Sequence, residues 1–235
     1  MTENRVEERI LFEDNHLLIV NKIPGELVQP DTEKSVSLED TLKEYIRRKS
    51  GKTGNIFLGV IHRIDRPVGG AVIFAKSAKA LSRMNRMLQE KKLKKIYWAI
   101  VTSKPTETEG TLINFLVRNT RNNTVKTYDK EVKGSLRAET KFSLLAESDR
   151  YFLLEIILIT GRHHQIRAQL SHYGMPIKGD LKYGAARSNP DGSISLHARE
   201  VIFEHPVTHA ELRIVAPVLN DKLWQFFENS IPDKQ

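Results

Sequence analysis

The chain has 235 residues, 40% of them hydrophobic and 28% charged, enough to bury roughly 70–75% of its unfolded surface without disulfide or metal staples. Cysteine is absent, which excludes thiol nucleophiles, cysteine-ligated zinc, iron–sulfur clusters and disulfides together. With Lys+Arg 37 against Asp+Glu 29 the net charge is +8, a balance that concentrates polyanions near the surface and ranks nucleic acid ahead of an anionic membrane as partner.

The densest apolar runs, Gly70–Ala75 and Tyr151–Ile159, are strand-length and fall short of the ~18 residues that a membrane helix takes. Residues 1–9 read as an acidic N-terminal arm with neither a basic leader nor an apolar core, so no signal peptide is expected and a cytoplasmic setting is. Residues 10–230 read as one domain and 231–235 as a tail.

In chain order, Ile10–Val20 predicts two short strands around the Asp14-Asn15 turn, ended by Pro24-Gly25. A helix follows over Leu38–Lys49, with Ser37 as N-cap, Asp40 three residues on, and Gly51 as a stop. Val60–Ile64 and Ala71–Ala75 read as strands around the turn Asp65-Arg-Pro-Val-Gly-Gly70. After Ser77 a helix runs to Lys91 with Leu81, Met84 and Leu88 inward and basic residues outward. Strands are then predicted at Ile96–Val101, Thr111–Val117, Val125–Tyr128, Ala138–Glu147 and Tyr151–Ile159. Thr160–Leu170 reads as a turn entering a helix that Gly174 closes. Strands at Ser193–Glu204 and Glu211–Val215 precede a last helix at Asp221–Asn229. Many strands with interspersed helices and no strict βαβ alternation argue an α+β fold with a mixed, largely antiparallel central sheet.

The chain lacks G-x-x-x-x-G-K-[ST], G-x-G-x-x-G and G-x-S-x-G, so nucleoside triphosphate, dinucleotide and α/β-hydrolase readings lose their usual supports, and no nucleotide cofactor is expected. No metal site is expected either: His163 and His164 are adjacent and read as projecting to different sides of a helix, and Pro206 breaks the spacing of His205 and His209. Two clusters stand out. In His62-Arg63-Ile64-Asp65-Arg66 a carboxylate sits between two guanidinium groups, fit for a nucleophile, a base, a metal ligand or half of a salt bridge. In Gly161-Arg162-His163-His164-Gln165-Ile166-Arg167, a strand-to-helix junction puts Arg162 near a helix N-terminus, a place that favours anions.

On these residues the chain resembles the RluA-type RNA pseudouridine synthases. His62–Lys76 is similar to the family's H-R-[LI]-D-R-x-[TV]-[SG]-G-x-x-x-[FL]-A-K signature. Glu13–Gly25 is similar to its first strand pair, and Lys94-Lys-Ile-Tyr97-Trp-Ala-Ile-Val101 to its K-x-Y-x-A-x-V strand. Thr160–Arg167 is similar to T-G-R-x-H-Q-[IL]-R, Pro176–Asp180 to P-[IL]-x-G-D, and Leu196-His-Ala with Phe203–Thr208 to the closing block. The resemblance spans residues 10–227. It implies the pseudouridine synthase fold with a cleft across its sheet, no cofactor, and ribosomal or transfer RNA as partner, with the chain acting as a monomer. Asp65 would attack uridine at the sugar C1′ or the base C6. Tyr97 would stack on the base and help remove the C5 proton, and Arg162 would pair with the Asp65 carboxylate. Arg63 would fill the space left by the extruded nucleotide, and Arg66, Gln165, Arg167, Lys91, Lys92 and Lys94 join it as RNA contacts. Two departures from the family are expected to matter: no S4-type module precedes Ile10, and Val-Gly-Gly replaces the common Thr-Ser-Gly after Pro67, freeing the turn at Gly69 and Gly70. A non-catalytic RNA-binding protein on the same scaffold is the alternative.

Overall fold

The computed structural model describes residues 5–30, 35–51 and 53–231. Residues 1–4 of the expected arm and 232–235 of the expected tail lie outside the described residues. The chain divides into two compact units: residues 1–94 with 198–217, and residues 95–197 with 218–235. No helix among the described residues is long and apolar enough to cross a membrane.

The first unit is built on antiparallel strands β1 (Ile10–Glu13), β2 (Leu17–Lys22) and β4 (Gly69–Ala75), with a two-residue β3 (Gly59–Val60) on the far edge of β4. Strand β10 (Leu196–Glu204) neighbours β4 through this unit and pairs with β11 (Glu211–Val215). All of β4 is buried, which explains its unbroken apolar run: a strand covered on both faces has no polar side to alternate with. Helix α1 (Leu38–Ser50) carries the expected capping box. The Ser37 hydroxyl accepts from the Asp40 amide at 3.2 Å, the Asp40 carboxylate accepts from the Ser37 amide at 3.1 Å, and Gly51 closes the helix at φ 65°. Helix α2 (Ala78–Gln89), capped by Ser77, packs Ala80 and Met84 into the core with Leu17, Ile73 and Phe203.

The expected strand at Val60–Ile64 is corrected to β3 alone. The Ile61 amide still donates to the Ile73 carbonyl of β4 at 3.2 Å, but beyond it the edge of β4 belongs to β10, and the chain from His62 onward runs as irregular backbone. Gly70 marks the same crowding. It sits at φ 117°, and a Cβ there would overlap the Ala198 backbone of β10. The freedom expected at Gly69 and Gly70 is thus used at Gly70 only.

Glu13 ties α1 to the strand pair. It accepts from Lys49 at 2.7 Å, Lys76 at 2.9 Å and the Tyr45 hydroxyl at 2.8 Å. Burial alone would raise its pKa, but the hydrogen bonds from Lys49, Lys76 and Tyr45 outweigh it and hold the carboxyl at about 2. A folded pKa below the unfolded one contributes stability that is full above about 4.5 and is lost as pH falls toward 2. Urea unfolding of Glu13→Gln is therefore expected to show a shallower loss of stability over that window than the parent chain. Coincident pH profiles would contradict this.

The second unit is an antiparallel array in the order β5 (Lys94–Val101), β9 (Phe152–Leu158), β8 (Leu136–Glu147), β6 (Glu109–Asn119), β7 (Thr124–Tyr128). Alternation gives it two faces. One takes helix α4 (Lys222–Ser230), whose Trp224 and Phe227 pack on Trp98, Ile100 and Leu153. The other takes helix α3 (Gln165–His172), whose Ala168 packs with Leu116, Val125, Ala138 and Tyr183.

Candidate active site

The first unit presents Asp65 on a short turn in the irregular segment that follows β3. The turn is closed by the Val68 amide donating to the Asp65 carbonyl at 3.0 Å, and Ile64 and Val68 anchor it in the core on either side. Asp65 itself is half-buried, and Arg63 and Arg66 flank it as exposed residues. Arg66 is not free to swing: its Nε donates to the Gly25 carbonyl at 3.0 Å, while its own carbonyl accepts from the Gly25 amide at 2.8 Å. The Pro24-Gly25 turn and the Asp65 turn are thereby laced together.

Beneath them lies Lys22, a residue that the sequence reading passed over. Its side chain is fully buried at the end of β2, and its ammonium donates to the Ile23 carbonyl at 3.0 Å and the Arg66 carbonyl at 3.1 Å. Burial pushes its pKa down to about 8, against the pull of Glu26 and Asp65, which favour the charged form. Lys22 thus braces the backbone that carries Asp65 and adds a positive charge behind it. The signal for it was a lysine closing an apolar strand before Pro-Gly.

Lys91, Lys92 and Lys94, expected as RNA contacts, are all exposed at the end of α2 and the start of β5, with Lys92 paired to Glu90 at 2.7 Å. They carry positive charge at the surface.

The second unit holds Tyr97, Arg162, Gln165 and Arg167. Tyr97 is buried on β5, opposite Ile156 of β9, which in turn faces Phe142 of β8. That row lies on the α3 face, because Thr140, two residues from Phe142, bonds to α3 through its hydroxyl. Arg162 is exposed on the turn before α3, with its Nε donating to the Arg137 carbonyl at 3.2 Å.

Gln165 and Arg167 are corrected. Both are buried, 3% and 5% exposed, and their polar atoms are spent internally. Gln165 Oε1 accepts from the Arg162 amide at 2.9 Å and the Thr160 hydroxyl at 2.8 Å, and its Nε2 donates to the Glu139 carbonyl at 3.0 Å and the Thr140 hydroxyl at 2.8 Å. It clamps the turn that presents Arg162, in place of an RNA contact. Arg167 is locked to Asp180 by two bonds, 2.6 Å from Nε and 2.8 Å from Nη2, with its guanidinium 5.0 Å from the Tyr183 ring centre. A side chain so enclosed braces the fold.

The two histidines of the motif also differ from expectation. They precede α3 and stack on each other with centroids 3.8 Å apart, instead of diverging on a helix. His164, in the left-handed conformation at φ 49°, shares a 2.8 Å hydrogen bond with the Tyr183 hydroxyl, and His163 one of 2.9 Å with Asn123.

Comparison with known proteins agrees with this reading of the motifs. Residues 16–172 match the RNA pseudouridylate synthase family model. The chain is 35% identical to ribosomal large subunit pseudouridine synthase C of Buchnera aphidicola, over 89% of this chain and 67% of that one. It is 30% identical to tRNA pseudouridine synthase C of Vibrio parahaemolyticus, over 94% of this chain and 93% of that one. The fold superposes on human RNA pseudouridylate synthase domain containing 4 with a TM-score of 0.77 at 23% identity, over 96% of this chain and 92% of that one. The chain belongs to the RNA pseudouridylate synthase family, and its fold is the α+β fold of those enzymes, with mostly antiparallel strands. It is an RNA-modifying isomerase.

Proposed function

We propose that this chain isomerises a specific uridine of ribosomal or transfer RNA to pseudouridine by covalent catalysis from Asp65, acting as a monomer in the cytoplasm. The observation that carries the reading is the turn around Asp65. A half-exposed carboxylate is fixed from both sides by core residues, flanked by two arginines, and backed by the buried Lys22. Such a carboxylate serves as a nucleophile without redox partner, phosphate donor or metal. In this reading it attacks C1′ or C6 of the uridine, the glycosidic C–N bond breaks, and the uracil turns. C5 then bonds to C1′ and loses its proton, the bond to Asp65 breaks to give back the free carboxylate, and N1 is left carrying a proton. Tyr97 and Arg162 keep the parts that the family resemblance gives them.

A paired or stacked base cannot turn in place, so the nucleotide leaves the stack at a cost of a few kcal/mol, of the order of 2–4. Stacking on an aromatic ring returns about 1–3 kcal/mol, and phosphate contacts from exposed cations supply more at low salt. Ribosomal and transfer RNA are suggested by the names of the two relatives, a ribosomal large subunit and a tRNA pseudouridine synthase.

Incubation of the purified chain with cellular RNA labelled with tritium at uridine C5 tests the proposal. Release of tritium to water, from one RNA class and at one position on sequencing, is expected. Binding to RNA with no release from any class would put the non-catalytic alternative in its place.

A further inference from the structure

We infer that Lys95 is a phosphate-binding residue, its ammonium holding a phosphodiester of the strand whose base meets Tyr97. The inference rests on the reading of Tyr97 just proposed and adds to it a contact for the RNA backbone.

Lys95 precedes Tyr97 by two positions on β5, so both side chains leave the strand on the face where α3 packs. Lys94, the neighbour singled out from the sequence, points to the other face and is exposed, whereas Lys95 is half-buried. The end of the Lys95 side chain reaches Gly161, in the turn that carries Arg162. A Cβ at position 161 would lie 3.2 Å from the Lys95 ammonium and, chain neighbours aside, within 4 Å of nothing else. Gly161 is exposed and its φ is outside the left-handed region, so its backbone does not require glycine. What the missing side chain provides is an opening from solvent onto a sheltered ammonium.

The electrostatics fit that opening. Burial lowers the Lys95 pKa, and burial is the sole cause: among the described residues no carboxylate lies near enough to pull it back. A cation withdrawn from water without a counter-charge is costly, and the cost falls when an anion arrives. Arg162, exposed on the same turn, adds a second cation, so the ligand that suits the opening is anionic and is presented by a chain whose bases stack. A phosphodiester of single-stranded RNA meets both conditions.

The test is fluorescence anisotropy with a fluorescein-labelled oligouridylate over a range of sodium chloride, repeated with an oligouridylate whose linkages are uncharged methylphosphonates. Lys95→Gln is expected to bind the natural strand about five- to tenfold more weakly at low salt, with the slope of log K against log salt shallower by about 0.7, the share of one phosphate on a single strand. On the methylphosphonate strand Lys95→Gln and the parent should bind alike. Lys95→Arg should restore the slope, and Gly161→Ala, which crowds the ammonium from outside the core, should weaken binding in the same direction. An unchanged slope in Lys95→Gln, or an equal deficit on both strands, would overturn the inference. Because binding is read without turnover, a failure of Asp65 as nucleophile would leave this result untouched and show itself only in tritium release.

Discussion

Asp65→Asn is expected to lower tritium release from C5-labelled RNA by about 10⁴-fold or more, the scale seen when a covalent nucleophile is removed. The substitution keeps the shape of the side chain and removes the charged oxygen that attacks. Its turn is closed by backbone, Val68 to Asp65, and is anchored by Ile64 and Val68, so the variant should fold and bind RNA with an affinity close to the parent's. The pairing of outcomes is what discriminates: lost release with retained binding places the chemistry on this carboxylate. Release at the parental rate would remove Asp65 from the reaction.

The second large effect is on stability. Arg167 and Asp180 form a doubly bonded ion pair, both side chains almost wholly enclosed in the second unit. Removing one partner leaves the other charge buried without its counter-charge, so Arg167→Ala and Asp180→Ala are each expected to cost about 3–5 kcal/mol in urea unfolding. Replacing both by apolar residues of similar volume, Arg167→Met with Asp180→Leu, should cost clearly less than the sum, because no charge is then stranded. An Arg167→Ala variant as stable as the parent would show that the pair is not the brace the geometry implies. Because Arg167 also lies against Tyr183, whose hydroxyl holds both His164 and the Val125 amide, loosening the pair is expected to reach the turn that presents Arg162.

Local signals were legible where local chemistry decides the structure. Ser37, Asp40 and Gly51 announce α1 because a capping box and a left-handed stop act within one turn of chain. The Asp65 turn and the α+β class were legible for the same reason, and the order of the motifs pointed to the family. The misread pieces depend on partners distant in sequence. Val60–Ile64 has the composition of a strand, yet β10 takes the edge it would need. Gln165 and Arg167 look like RNA contacts because polar side chains are usually outside; their burial follows from Thr140 and Asp180, whose positions no local pattern encodes. Lys94 and Lys95 are indistinguishable by type, and the alternation of β5, counted from Tyr97, separates the exposed one from the sheltered one. Lys22 was hidden by the opposite habit, since a lysine at a strand end ordinarily reaches water.

The bond between position 65 and the nucleoside is open to direct measurement. RNA carrying 5-fluorouridine has no proton to lose at C5, so the reaction should stall before its final step with the enzyme and nucleotide still associated. On the C6 route the bond to Asp65 is still in place at that stage, and mass spectrometry of the digested protein is predicted to find the added nucleotide on the peptide containing Asp65 and none with Asp65→Asn. On the C1′ route the ester is already broken when C5 bonds to C1′, and no adduct is left. An adduct on a different residue, or parental turnover of ordinary RNA by the Asp65→Asn protein, would contradict the account.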